Sequence, residues 1–223
     1  MKVAAVVPAF NEEKTINHVV HTLLSAVDVV VVVDDGSRDN TAKKAENSGA
    51  IVLRHFLNRG QGAALFTGIR YALNSGHDIV VTFDADGQHD EKDIEKIIAP
   101  ILENRVDVVL GSRFLEKKNS IPVLRRAVLA MAILFTRMTT GLKITDTHNG
   151  FRAFSADALE KIQIRQDKMA HASEILEEIS KKKLRYCEIG VTVRYTDYSR
   201  KKGQKASQSF KILWDLFLGK MSK

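Results

Sequence analysis

The stretch DIVVTFDADGQHD, residues 78–90, joins a run of apolar residues to a cluster of polar ones. Residues 79–83 have the composition of a buried strand. Asp84 and Asp86 follow directly, and the repulsion between two neighbouring carboxylates adds nothing to the stability of a fold. A strand that ends in acids therefore indicates a ligand site, and the surrounding sequence must supply the rest of it.

An alternation of strand and helix patterns extends from this stretch toward both ends of the chain. Apolar runs predict strands at 3–7, 27–33, 51–56, 79–83 and 106–110. Helical spacing predicts helices between them at 12–26, 41–48, 62–74 and 91–103. This succession is typical of an α/β fold with a Rossmann-like, mostly parallel central sheet and helices on both faces.

The rhythm changes after residue 113. A long helix is predicted at 122–140, then a polar connection, TDTHNGFRAFS, at 145–155, and helices around 157–162 and 171–183. A strand at 186–195 precedes a basic loop and a final helix at 207–218. Because no repeat, low-complexity tract or Pro/Gly-rich linker divides the chain, we expect a single domain over residues 1–223.

The net charge of +7 and the pI of about 9.4 indicate an anionic partner: nucleic acid, a phosphorylated metabolite or an anionic membrane surface. Nucleic acid is disfavoured, since the sequence lacks basic–aromatic interleaving and helix-turn-helix spacing. A single cysteine, Cys187, excludes an internal disulfide and a multi-cysteine zinc site, and favours a reducing cytosol. The apolar stretch 127–135 is shorter than the roughly 18–20 residues of a membrane span, so we expect no transmembrane segment.

Polar clusters stand at the predicted ends of four strands: PAFNE at 8–12, DDGSRDNT at 34–41, DADGQH at 84–89 and GSRF at 111–114. The carboxyl ends of parallel strands meet at one edge of a sheet, where ligands bind. Asp84 and Asp86 are two residues apart, so their side chains face the same way on extended backbone. With Gln88 and His89 close behind, the pair suits Mg²⁺ or Mn²⁺ bound to phosphate oxygens. The alternative is two solvated acids in a turn.

Two other sites have both a binding and a structural interpretation. Asp35 ends an otherwise apolar strand, where it can accept hydrogen bonds from a nucleobase or ribose, or cap the helix near Thr41. The stretch NRGQGAA at 58–64 opens a helix with small residues. These allow the backbone to approach a phosphate or base closely, although such a pattern is often only a tight turn.

Together these motifs resemble glycosyltransferase family 2, on the nucleotide-sugar-binding fold called GT-A, and in particular its dolichyl-phosphate mannose synthase-like branch of polyprenyl-phosphate glycosyltransferases. PAFNE, DDGSRDNT, NRGQGAA, DADGQH and GSRF occur in the order and approximate spacing of that branch, and TDTHNGFRAFS is similar to its acceptor-side motif. The matches cover about residues 3–200. The resemblance implies a nucleotide-sugar-binding half at about 1–115 and an acceptor-binding half at about 116–223, with a C-terminal amphipathic helix.

The resemblance also implies roles for individual positions. The donor nucleotide sugar would be bound by Pro8, Phe10, Glu12, Asp35, Asn58, Gly62, Asp84 and Ala85. The metal, Mg²⁺ or Mn²⁺, would be held by Asp84, Asp86 and Gln88. The acceptor phosphate would be bound by Arg113 with Arg125 or Arg126, while Arg152 and Arg200, in the basic stretch 200–205, would close over the phosphates. The catalytic group would consist of Asp86, Arg113 and Asp146, the last beside the reacting centre.

The implied reaction is an inverting, metal-dependent transfer of a hexose from a GDP- or UDP-sugar to a polyprenyl or dolichyl phosphate. A lipid phosphate is already ionised and needs no general base, whereas a sugar-hydroxyl acceptor, the main alternative, would need one, and Asp146 is the candidate. A sugar nucleotidyltransferase is disfavoured because PAFNEE stands where those enzymes carry a Gly-rich loop with Arg and Lys. A non-enzymatic nucleotide-binding module has only the net charge in its support.

A lipid acceptor implies contact with a membrane. The basic pair Arg125-Arg126 followed by AVLAMAILF, and the segment SFKILWDLFLGK at 209–220, combine apolar stretches with basic flanks. Both can lie in the plane of an anionic membrane surface, or pack as ordinary core helices. We expect a cytoplasmic protein, peripheral on the cytoplasmic face of the membrane, bound directly or through a membrane-anchoring partner.

Overall fold

The strands and helices alternate through most of the chain. The computed structural model describes residues 1–116 and 123–194, without the side chains of 123–128. Its strands are β1 Val3–Ala9, β2 Val29–Asp34, β3 Ile51–Arg54, β4 Ile79–Thr82, β5 Val108–Ser112, β6 Arg152–Ser155 and β7 Tyr186–Gly190. Its helices are α1 Ile16–Leu24, α2 Thr41–Asn47, α3 Gln61–Asn74, α4 Ile94–Leu102, α5 Val123–Thr140, α6 Ala156–Lys161 and α7 His171–Lys181, with a 3₁₀ turn at Glu91–Asp93.

Two hydrophobic layers, one on each face of the sheet, hold this α/β domain together. Successive residues of a strand point to opposite faces, so Ala5 and Val7 of β1 pack in one layer and Ala4 and Val6 in the other. The apolar stripes of α1 and α4 cover the first layer, and those of α3 and α7 cover the second. The all-valine centre of β2 is buried on both faces, as its composition predicts.

The sheet has the strand order β3-β2-β1-β4-β6-β5-β7. Strand β6 pairs antiparallel with both β4 and β5, while the other neighbouring strands pair in parallel. The prediction that 145–155 is only a polar connection is therefore wrong at its end, where Arg152–Ser155 forms a central strand. Four residues that include an arginine and a serine lack a strand pattern, and pairing on both sides stabilises the strand instead.

The direction of β6 brings the acceptor-side motif to the ligand-binding edge. Because β6 is antiparallel, its first residue lies at the edge where the parallel strands end. Thr82 near the end of β4 pairs with Arg152, and Leu110 of β5 pairs with the same residue. Residues 145–151 therefore reach the same edge as the DADGQH and GSRF motifs.

The remaining sequence predictions agree with the structure to within a few residues, with two differences at element ends. Helix α1 begins at Ile16 rather than at residue 12, because Asn11 adopts a left-handed φ of 53° and residues 12–15 form a turn. Strand β7 ends at Gly190, short of the predicted 195, and among the described residues 191–194 Val193 forms an isolated bridge to His89.

Several predicted features lie outside the described residues. These are the basic stretch with Arg200, the helix at 207–218 and the segment 209–220, while Arg125 and Arg126 lie in α5 with side chains that are not described. Within residues 1–116 and 123–194, no helix combines the length and the apolar character that crossing a membrane requires.

Candidate functional site

A cavity of about 720 Å³ opens at the carboxyl ends of β1, β2 and β3. Residues at or just after the end of each of these strands line it, among them Phe10, Asp34, Arg38, Arg54, Phe56 and Asn58. The end of β1 is tied to the loop after β2, because Asn11 accepts a hydrogen bond from the backbone of Arg38 at 2.9 Å and donates its own N–H to Ser37 Oγ at 2.9 Å. The cavity therefore has apolar, acidic, basic and amide groups on a rigid wall.

Two of the residues predicted for the nucleoside line this cavity, Phe10 and Asn58. Three others lie beside it rather than among its lining residues. Pro8 is inside β1, in register with Val33, and Glu12 is buried, with its backbone N–H donating to Thr41 Oγ1 at 2.8 Å. Asp35 is buried beneath the wall.

Asp35 organises the loop that forms the cavity wall. Its Oδ1 bonds His55 Nδ1 at 2.7 Å and accepts from the backbone N–H of Arg59 at 3.0 Å. Its Oδ2 accepts from the backbone N–H of Gly60 at 2.7 Å. The structural alternative, that Asp35 caps the helix near Thr41, is wrong, because Asp39 accepts the Thr41 N–H at 3.0 Å. Asp35 instead fixes the backbone between β3 and α3.

The small residues of NRGQGAA allow a close approach, but of another part of the chain. A Cβ on Gly62 would lie 2.0 Å from the carbonyl oxygen of Gln166, and one on Gly60 would lie 2.5 Å from that of Asp167. The backbone N–H of Ala63 also donates to Asp167 O at 3.1 Å. Gly62 therefore allows the 166–167 segment to pack on α3, and its predicted place near the nucleotide stays a prediction.

Asp84 contacts residues of three sequence motifs: NRGQGAA, its own DADGQH and TDTHNGFRAFS. Gln61, from the first turn of α3, donates to Asp84 Oδ1 at 2.9 Å, and His89 Nε2 lies 3.1 Å from Oδ2. Gly150 lies on the side of Asp84 that faces β6, and a Cβ at that position would lie 2.6 Å from Oδ2. The His89 ring is itself packed edge-on against Phe83, with centroids 5.4 Å apart. The Asp84 carboxylate is therefore held in one orientation.

Asp86 is held by its own loop. The backbone N–H of Gln88 donates to Asp86 Oδ1 at 3.0 Å, and the Gln88 side-chain amide donates to Oδ2. Burial and the charge of Asp84 both raise the pKa of Asp86. Burial acts to raise the pKa of Asp84, but the hydrogen bond with His89 and the electrostatic attraction of His89, His171 and Arg113 together lower it. Ala85, between the two acids, is buried.

These residues fit a hard divalent cation. Within the described part of the chain, no cluster of three or more His, Cys, Asp and Glu side chains is arranged to hold a metal. The available oxygen donors are the carboxylates of Asp84 and Asp86 and the amide of Gln88. Mg²⁺ is typically bound by one or two carboxylates, with water and substrate phosphate completing its coordination. Burial, followed by the charge of Asp84, raises the pKa of Asp86, and a dication bound beside the two acids would favour the ionised carboxylate.

The end of β5 carries a buried ion pair. Arg113 donates to Asp146 Oδ2 through Nε at 2.6 Å and through its backbone N–H at 3.1 Å, and the two side chains are only 9% and 0% exposed. Glu188 of β7 accepts from the backbone of Thr145 at 2.7 Å and of Asp146 at 3.1 Å. Arg113 and Asp146, both predicted to be catalytic, are thus bound to each other in an ion pair.

Arg152 supports the acceptor-side motif from within the sheet. It is buried, and it donates to three backbone carbonyls: Asn149 at 2.9 Å, Thr147 at 3.2 Å and Ala172 at 3.4 Å. Burial lowers its pKa to about 10. The expectation that Arg152 closes over the phosphates is corrected, because its guanidinium is bonded to the backbone of residues 147–149.

Three residues near the acidic side chains, Gln61, His148 and His171, were not among the sequence predictions, and His89 was named behind the acids without a role of its own. Gln61 and His89 belong to quoted motifs, so their polar side chains beside glycines and acids were an available signal. His148 and His171 have lowered pKa values, for which burial is the main cause. Nothing in the sequence marks His171 as a neighbour of Asp84, since 87 residues of chain separate the two.

The family model for glycosyl transferase family 2 matches residues 4–163, which is more than half of the chain. The chain belongs to glycosyl transferase family 2. The resemblance stated from the motifs is thereby confirmed, and the protein is a glycosyltransferase.

Two relatives of this family-2 enzyme are named for the transfer of a sugar to a lipid phosphate. A UDP-N-acetylglucosamine–dolichyl-phosphate N-acetylglucosaminyltransferase of Methanococcus voltae is 36% identical, over 98% of this chain and 96% of the relative. An undecaprenyl-phosphate mannosyltransferase of Micrococcus luteus is 32% identical, over 74% of this chain and 70% of the relative. Both names describe the transfer of a sugar to a polyprenyl or dolichyl phosphate.

Solved structures confirm the fold. The glucosyl-3-phosphoglycerate synthase of Mycobacterium tuberculosis superimposes with a TM-score of 0.68 at 22% identity, over 93% of this chain and 75% of that one. The same enzyme in complex with Mn²⁺, uridine diphosphate and phosphoglyceric acid gives a TM-score of 0.68 at 20% identity, over 89% and 72%. The family-2 domain described above therefore has the GT-A fold.

Proposed function

We propose that this family-2 enzyme transfers a hexose, with inversion and with the aid of Mg²⁺ or Mn²⁺, from a nucleoside diphosphate sugar to a polyprenyl phosphate. One observation carries the proposal: the segment 58–61 joins the cavity to the paired acids. Asn58 lines the cavity, and Gln61, three residues later, donates to Asp84 at 2.9 Å. A nucleoside in the cavity would thus place its diphosphate next to Asp84 and Asp86.

The residues of the chain divide the work of donor binding. We assign the nucleoside to the cavity that contains Phe10 and Asn58, with Asp35 holding the wall from behind. Asp84, Asp86 and Gln88 would hold the cation, which supplies positive charge to the leaving diphosphate. Gln61 and His89 keep the Asp84 carboxylate oriented before the donor arrives, so no reorganisation is required during transfer.

The ion pair at the end of β5 favours a phosphate acceptor over a hydroxyl. A general base must accept a proton, and the Asp146 carboxylate is fully buried and bonded to Arg113 at 2.6 Å. We therefore assign Asp146 the task of orienting Arg113, and Arg113 that of binding the acceptor phosphate. Arg125, Arg126 and Arg200 remain proposed partners of that phosphate on the strength of the family resemblance.

Helix α5 supports binding at a membrane surface. Among the described residues, Met131, Leu134 and Met138 have the spacing of one helix face and are 62%, 60% and 78% exposed. An apolar stripe of this kind, close to the basic pair Arg125-Arg126, suits the boundary between anionic headgroups and acyl chains. We propose a peripheral location on the cytoplasmic face, which brings the enzyme to its lipid acceptor.

A transfer assay tests the proposal. The protein is incubated with radiolabelled UDP- and GDP-hexoses, Mn²⁺ or Mg²⁺, and vesicles that contain a polyprenyl phosphate, and the lipid fraction is counted. We expect labelled glycolipid from at least one donor, and a loss of about 10²–10³ in rate on Asp86→Ala. No labelled lipid from any of the donors, or turnover of Asp86→Ala equal to that of the unmodified enzyme, would contradict the proposal.

A further inference from the structure

The loop between β3 and α3 is fixed at several points. Asp35 holds both ends of it, through His55 Nδ1 at 2.7 Å and through the backbone N–H of Gly60 at 2.7 Å. Its middle packs on Gly36, where an added Cβ would lie 2.9 Å from Leu57 C and 2.9 Å from Asn58 N. The backbone of residues 55–60 is therefore preorganised before any ligand binds.

This fixed loop presents an aromatic ring to water. Phe56 is fully exposed, more so than any other large hydrophobic residue in the described part of the chain, and it lines the cavity. Phe10, 40% exposed, lines the same cavity from the end of β1. Exposure of a whole phenyl ring is unfavourable by about 25 cal/mol for each Å² of apolar surface. A fold that holds such a ring at the mouth of a cavity leaves it available for a flat ligand.

We propose that Phe56 stacks on the nucleobase of the donor and that Phe10 provides the other aromatic contact. This inference rests on the proposed function, in which the cavity receives a nucleoside diphosphate sugar. The polar groups of the lining favour a nucleobase over an acyl chain, because Asp34, Arg38 and Arg54 offer hydrogen bonds that a hydrocarbon could not use.

Stacking has a consequence for specificity. Every nucleobase has a π-face, so an aromatic platform contributes affinity without selecting one base. Hydrogen-bonding groups in the cavity must then distinguish uracil from guanine, and Asp34 is the buried acid among them. Phe56 is thus assigned an affinity role that is the same for UDP and GDP.

Titration calorimetry with UDP and with GDP, each in the presence of Mn²⁺, tests the assignment. Stacking on one base is worth about 1–3 kcal/mol, so Phe56→Ala should weaken binding of whichever nucleotide the enzyme accepts by roughly 5- to 150-fold. If both bind, the ratio of their affinities should stay unchanged. Phe56→Tyr should restore affinity. Phe66→Ala, an exposed phenylalanine of α3 outside the cavity lining, is the matched control and should bind as the unmodified protein does.

A tryptophan probe gives an independent readout. Trp214 is the only tryptophan, so Phe56→Trp in a Trp214→Phe background reports on position 56 alone. UDP or GDP should quench its fluorescence, whereas Mn²⁺ with pyrophosphate should not. Unchanged nucleotide affinity of Phe56→Ala, with or without a loss of vesicle binding, would overturn the inference. Failure of the unmodified protein to bind either nucleotide would overturn the proposed donor instead.

Discussion

Gly150→Ala should disable the acidic pair without touching it chemically. Gly150 is not among the glycines with positive φ, so alanine is compatible with its backbone. The added Cβ would lie 2.6 Å and 2.7 Å from the two oxygens of Asp84. Ordinary contacts begin near 3.4 Å, so the two carboxylate oxygens must retreat by about 0.7–0.8 Å.

The size of the effect follows from the bonds that Asp84 makes. Asp84 bonds Gln61 at 2.9 Å and His89 at 3.1 Å. If the carboxylate moves away from one of these two side chains by this distance, the bond to that side chain becomes too long for a hydrogen bond. A hydrogen bond to a charged group contributes about 1.5–3 kcal/mol, so the free energy of unfolding should fall by about that amount. Because a group of this kind acts electrostatically, kcat should fall by about 10²–10³.

A double-mutant cycle measures whether the loss passes through Asp84. Urea unfolding and kcat are determined for Gly150→Ala, for Asp84→Ala and for the double variant. In the Asp84→Ala background the added methyl group meets no carboxylate, so Gly150→Ala should have little further effect on either quantity. Additive losses in the double variant, or an unchanged kcat for Gly150→Ala alone, would refute the reasoning.

Three other perturbations separate structural from chemical roles. Asp146→Ala leaves Arg113 buried without its carboxylate, so the free energy of unfolding should fall by about 3–5 kcal/mol and Tm by roughly 6–20 °C. Adding Arg113→Met should restore part of this loss. A Tm equal to that of the unmodified protein would argue against the ion pair. Gly62→Ala places a Cβ 2.0 Å from the carbonyl oxygen of Gln166 and should lower the free energy of unfolding by about 1–3 kcal/mol, as measured in urea; normal stability would show that the 166–167 segment is not packed there. The lowered pKa of His148 means that the fold favours its neutral form, so its contribution to stability is complete above the unfolded pKa near 6.5 and is lost as the pH falls through the folded pKa. In His148→Gln the free energy of unfolding should therefore fall less between pH 7 and pH 5 than it does in the unmodified protein. An identical pH dependence of the two proteins would contradict this.

The strand ends were predictable because periodicity and local composition determine them. The apolar run at 79–83 followed by Asp84 and Asp86 marks both a buried strand and the point where it stops, and β4 ends at Thr82. Apolar runs followed by polar clusters likewise predicted β1, β2 and β5 and the polar residues near their ends. A parallel sheet then brings those residues to one edge by topology alone.

Strand β6 was not predictable from local pattern. Its residues become a central strand because β4 and β5 leave a gap that RAFS fills by pairing on both sides. The burial of Arg152 follows from that position, since its guanidinium is enclosed with the carbonyls of 147–149. Sequence spacing carries no information on such long-range pairing, and the assignment of Arg152 to phosphate came from the family resemblance.

The roles of Asp35 and Gly62 show a second limit. The sequence identifies an acid after a strand and a glycine at a helix start, and both suit ligand binding as well as chain packing. Only the structure shows that Asp35 bonds Gly60 and that Gly62 packs against Gln166. Binding and structural interpretations of one residue differ in long-range contacts, which local sequence does not specify.

Manganese binding tests the central claim most directly. Electron paramagnetic resonance measures free Mn²⁺ in the presence of saturating UDP or GDP for the unmodified protein, for Asp86→Ala and for Glu91→Gln, a matched acid after the same loop. Burial and Asp84 already disfavour the charge of Asp86, so its removal should leave the fold stable while Mn²⁺ affinity is lost. Glu91→Gln should retain it. Unchanged Mn²⁺ affinity in folded Asp86→Ala would contradict the account.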